Sequence, residues 1–118
     1  MPHITVDHSP RLSDLLDLRA FAAELHRTVL DGSGSAGTCK TLFREAAAAH
    51  VGHRHGGEAA FVHVEVGLLP GRSEGLKAQL SEDVLALLEK HLSMSTTDAV
   101  ICSVQVRDLA GSYRLRTF

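Results

Sequence analysis

Twice along the chain an alternating apolar stretch is followed by a segment of helical period and then by another alternating stretch, and this doubled pattern restricts the fold more than any other feature. In the first unit Ile4, Val6 and His8 share one face of a short strand, with His3, Thr5 and Asp7 on the other. Asp17 is a natural helix cap, and Leu18, Phe21, Ala22, Leu25 and Val29 recur behind it at helical spacing. Asp31-Gly32 is expected to stop that helix before the Gly/Ser turn 32–37, after which residues 38–44 can form a second strand. The second unit opens on the clearest strand, Phe61 to Leu68, with Val62, Val64, Val66 and Leu68 on one face. Ser73 caps a helix expected to turn Leu76, Leu80, Val84, Leu87 and Leu88 inward and Glu74, Lys77, Glu82, Glu89 and Lys90 outward. A fourth strand is expected at 99–108.

The fold class is therefore α+β, with two βαβ units forming a four-stranded mixed sheet and two helices on one face. Within each unit the strands should run parallel through a right-handed crossover. The opposite sheet face, carrying residues such as Thr5, His63, Glu65, Ser103 and Gln105, is left uncovered, which favours an oligomer that covers it. Between the units, composition leaves 45–49 open between helix and strand, and 50–58 reads as a loop.

A chain of 118 residues holds one domain, taken as 1–118, with a single modest core. With 44% hydrophobic but only 4% aromatic residues, that core must be built from Leu, Val and Ala. A net charge of -2 and the absence of a long basic run argue against nucleic-acid or anionic-membrane partners. His63 and Glu65 interrupt the most apolar stretch and the N-terminus lacks a basic region followed by an apolar run, so neither a membrane span nor a secretory signal is expected. Cys39 and Cys102 have neither metal-type spacing nor a disulfide framework, consistent with a cytoplasmic protein.

The chemistry points to the N-terminus. Pro2 permits removal of Met1, which would expose a secondary amine whose class titrates at about 7.7–8.0, and burial or nearby cations lower that value further. Such a group accepts and returns a proton at neutral pH. The loop histidines His50, His53 and His55 raise the question of zinc, but no cysteine or carboxylate completes a familiar site, and no metal is expected.

The start Met1-Pro2-His3, the two βαβ units, the stretch Ala60-Phe61-Val62-His63-Val64 and the turn Pro70-Gly71-Arg72-Ser73 together resemble the tautomerase superfamily, and within it the 5-carboxymethyl-2-hydroxymuconate isomerase family. The resemblance implies a tautomerase-like fold, a homotrimer, and a cofactor-independent keto-enol isomerase of aromatic catabolism acting on a small unsaturated di- or tricarboxylate. It assigns Pro2 as the catalytic base and then acid. Arg72 and Lys40 would bind the anionic substrate, and Phe61 would supply an apolar wall. Where the family often carries an arginine two positions after Lys40, this chain has Leu42, with Arg44 two further on. His3 and His63 could meet on one sheet face but read first as hydrogen-bonded structural histidines, and Arg11, Arg114 and Arg116 could reach a site across a subunit boundary. Two other classes are compatible with the same scaffold: a hydratase or dehalogenase acting on an unsaturated acid, and a non-catalytic trimeric binding protein.

Overall fold

The structure, a computed structural model, describes residues 2–10, 12–52, 60–93 and 99–118. Strand β1 (His3–His8) leads through a short 3-10 turn (Leu12–Asp14) into helix α1 (Leu18–Ser33), then β2 (Lys40–Glu45). The second unit follows as β3 (Ala60–Leu68), α2 (Glu74–Ser93) and β4 (Val100–Asp108). The four strands form one sheet in the order β2-β1-β3-β4. Strands β1 and β2 are parallel, β3 and β4 are parallel, and the two units meet antiparallel where Val6 faces Val64. The expected mixed sheet is thus present.

The core follows from the alternation. Ile4, Val6, Val62, Val64 and Val66 are fully buried on the helix side, against Phe21, Leu25 and Val29 of α1 and Leu80, Val84 and Leu88 of α2. Burying each such side chain contributes about 1.5–3 kcal/mol relative to exposure. Phe21 joins the helices directly, meeting the His91 ring edge-on at 5.6 Å between centroids.

Helix α1 begins as expected, with an Asp17 carboxylate oxygen accepting from the backbone N–H groups of Arg19 and Ala20 at 3.1 Å. Its end differs from the sequence expectation. The helix runs through Asp31-Gly32 to Ser33 and is closed by Gly34 in the left-handed region at φ 66°. Gly32 serves packing instead, because a Cβ there would lie 2.8 Å from Leu80 Cδ1. Lys77 is the second departure: it is buried rather than outward, its Nζ reaching Glu74 at 2.8 Å and Asp108 at 3.3 Å. Its long stem covers apolar surface while two carboxylates meet the charge. The segment after β2 is not helical; Ala46 N–H donates to His8 O at 2.9 Å and the chain then bends.

The other sheet face carries His3, Thr5, Asp7, Lys40, Leu42, Arg44, Phe61, His63, Glu65, Ile101 and Gln105, none of them buried. Neither helix covers it. Leu42 is 51% and Ile101 40% exposed on this face.

Candidate functional site

The topology sends four chain segments to one end of the sheet. Strands β1 and β2 start there, β3 and β4 finish there, and the register aligns Lys40, His3, Gly67 and Arg107 in one row across the sheet. The N-terminus, the 34–39 turn, the 69–73 turn and the C-terminal tail therefore converge around that row. Pro2, Lys40 and Arg72 lie at this end.

Pro2 is buried, and its carbonyl accepts from Lys40 N–H at 3.4 Å, which fixes the N-terminal segment beside the start of β2. Cys39 next to it is also buried, and burial pushes its thiol up to about 11, so it stays protonated and unreactive near neutrality. Lys40 is exposed, has no carboxylate partner among the described residues, and places its Nζ 5.9 Å from the centre of the Tyr113 ring. Thr38, Lys40, Tyr113, Leu115 and Thr117 line a cavity of about 230 Å³.

Arg72 is held by backbone and hydroxyl oxygens. Nε donates to Ser33 O at 3.1 Å, one terminal nitrogen to Leu69 O at 3.1 Å and the other to Ser35 Oγ at 3.0 Å. The guanidinium thus ties the end of α1 to the turn before α2, and the cap of α2 is supplied by Ser73 Oγ accepting from Leu76 N–H at 3.1 Å. Among the described residues, two of the five guanidinium N–H donors are outside these bonds and remain for another acceptor. Arg72→Ala is expected to cost about 1–3 kcal/mol of stability through the lost clamp, read from urea unfolding.

Phe61 is placed at the opposite end of β3, six residues from Gly67 in the row beside Pro2, which is about 20 Å at strand rise. One chain does not bring Phe61 to Pro2. His3 and His63 share a face but do not meet: His3 opposes Gly67, whereas His63 opposes Asp7, and its Nδ1 lies 2.7 Å from Ser103 Oγ. The intervening Glu65 pairs with Arg107. Arg44 is engaged by Asp7 in a two-point ion pair at 2.7 and 3.0 Å, and Leu42 projects from the open face. Arg114 is turned back on the tail, donating to Gly111 O and Tyr113 O. His53, His55 and Arg11 lie outside the described residues, as does Met1; His50 is exposed, and among the described residues no group of three His, Cys, Asp or Glu side chains is placed to hold a metal. Among them, too, no helix is long and apolar enough to cross a membrane.

Residue spacing gives no sign that His3 and Tyr113 carry buried polar atoms. Each has a buried atom, Nδ1 and Oη, with no hydrogen-bond partner among the described residues. Burial, then the charges of Lys40 and Arg107, hold the His3 imidazole below its ordinary 6.5. A lowered folded value means that the unfolded chain binds more protons in this range, so the contribution of His3 is full above pH 6.5 and is lost as the pH falls toward the folded value. His3→Gln is accordingly expected to flatten the decline of melting temperature between about pH 6.5 and pH 5, compared with the unsubstituted chain.

The profile of the 5-carboxymethyl-2-hydroxymuconate isomerase family matches residues 2–117. Among solved structures, a 5-carboxymethyl-2-hydroxymuconate isomerase from Deinococcus radiodurans R1 superposes with a TM-score of 0.83 at 17% identity, covering 98% of this chain and 90% of that one. A 5-carboxymethyl-2-hydroxymuconate delta-isomerase gives 0.79 at 20% identity, covering 100% and 89%. A fused 4-OT wild-type symmetric trimer gives 0.63 at 23% identity, covering 91% and 85%. Among curated proteins no relative matches the sequence.

Proposed function

The chain belongs to the 5-carboxymethyl-2-hydroxymuconate isomerase family, and on that premise we propose that it is a cofactor-independent keto-enol isomerase using Pro2 as its base. The observation that carries this reading is the burial of Pro2 at the sheet end where Lys40 and Arg72 also lie. Once Met1 is removed, the Pro2 nitrogen is a secondary amine. Burial disfavours its charged form, so a neutral base is available near pH 7.

The substrate class is a small unsaturated di- or tricarboxylate in its dienol form, of the kind met in aromatic catabolism in the cytoplasm. The amine takes the proton of the enol hydroxyl as the carbonyl forms and the diene electrons shift. It then delivers that proton to a ring-opened chain carbon, giving the conjugated keto acid with the amine restored. Lys40 holds one carboxylate and offsets charge that develops on the oxygen; the free donors of Arg72 serve another. Leu42 stands where a second strand cation would, so on β2 the carboxylate meets the point charge of Lys40 and no guanidinium fork.

A homotrimer fits both the bare sheet face and the separation of Phe61 from Pro2. Phe61 enters the site as a contribution from a neighbouring subunit, walling the amine from water. The fused 4-OT assembly with the related fold is a symmetric trimer, which supports this arrangement.

An intact mass of the purified protein, paired with an ultraviolet assay of 2-hydroxymuconate ketonisation on the same sample, tests the proposal. Loss of methionine together with turnover is the expected result. A trimmed protein without turnover on 2-hydroxymuconate or its 5-carboxymethyl derivative would overturn it. In the same assay Arg72→Ala is expected to raise KM, an effect that a purely structural clamp would not produce at temperatures where the variant stays folded.

A further inference from the structure

The C-terminal tail has a defined path across the end of the sheet. Leu109 N–H donates to Leu68 O at 2.7 Å, and the Leu109 side chain is buried over Gly67, where a Cβ would come within 2.5 Å of its Cδ2. Glycine at 67 therefore lets the tail cross the sheet end. Tyr113 N–H then closes a turn onto Ala110 O at 2.9 Å, and Arg114 braces it through Gly111 O and Tyr113 O. The turn lays the Tyr113 ring beside the Lys40 ammonium and makes the tail one wall of the cavity of about 230 Å³.

The wall has an uneven chemistry. Lys40 supplies one cation without a carboxylate partner among the described residues, whereas Leu115 and the ring of Tyr113 supply flat apolar surface. The Tyr113 hydroxyl is buried and unpaired among the described residues. A buried hydroxyl left unpaired is costly, and a phenol can donate to a carboxylate. From this juxtaposition we infer that Tyr113 is a specificity-determining residue: its hydroxyl joins the free donors of Arg72 on the second carboxylate of an unsaturated dicarboxylate whose first carboxylate is held by Lys40. The inference rests on the isomerase reading and names the residue that separates di- from monocarboxylates.

Tyr113 is the sole tyrosine of a chain without tryptophan, so its emission reports on this cavity alone. The test is calorimetric titration of the full chain with hex-2,4-dienedioate and with the monocarboxylate hex-2,4-dienoate, accompanied by tyrosine emission corrected for ligand absorption. The unsubstituted protein should prefer the dicarboxylate, with a change in emission. Tyr113→Phe, which keeps the ring, should bind the dicarboxylate about tenfold more weakly and the monocarboxylate equally well. Equal dicarboxylate binding by the variant would overturn the role of Tyr113, as would binding that leaves the emission unchanged or no preference for the dicarboxylate. These results are read without turnover, so failure here is distinct from failure of the Pro2 mechanism, which the ketonisation assay judges separately.

Discussion

Replacing Pro2 with alanine is expected to lower turnover of a 2-hydroxymuconate by about 10²-fold or more, within the range that a positioned general base contributes, while leaving the fold and assembly unchanged. After removal of Met1 the alanine variant still carries an amine, but a primary one without the ring that holds the nitrogen in one orientation. The base is lost in placement rather than in kind, so the deficit should fall mainly on kcat. Circular dichroism and sedimentation of the same sample check that the change is chemical. Turnover equal to that of the unsubstituted protein would remove Pro2 from the mechanism.

Phe21→Ala is expected to have the largest effect on stability, a loss of about 3–5 kcal/mol. Phe21 is fully buried in a chain of 4% aromatic residues, where Leu and Val predominate, and it contacts both the sheet side of the core and His91 of α2. Its removal leaves a cavity between the two βαβ units and deletes an edge-on ring contact of about 0.5–1.5 kcal/mol. Urea unfolding at fixed protein concentration measures the loss, since the proposed trimer would make the midpoint concentration-dependent. A loss below about 1 kcal/mol would mean that the α1–α2 seam closes around the deletion.

Much of this fold could be read from local pattern because strand and helix periods are local properties of the chain. The alternation through Val62, Val64 and Val66 specifies which face is buried, and Asp17 and Ser73 specify where the helices begin. Helix endings were less legible. Asp31-Gly32 has the composition of a stop, yet the helix continues because Gly32 is needed where Leu80 approaches. Lys77 has the spacing of an outward residue, yet it is buried because Asp108, thirty-one residues away, is there to receive its charge.

By itself the sequence determined the two βαβ units and Pro2 as the candidate amine, since each depends on residue type and short-range spacing. Only the tertiary structure decided the company each residue keeps. It gathers Pro2 and Lys40 at one sheet end, engages Arg72 with Ser33, Ser35 and Leu69, sends Phe61 to the other end, and folds Tyr113 of the tail over Lys40. These placements depend on strand register and direction, which come from the pairing of segments far apart in the chain, and no local period encodes that pairing.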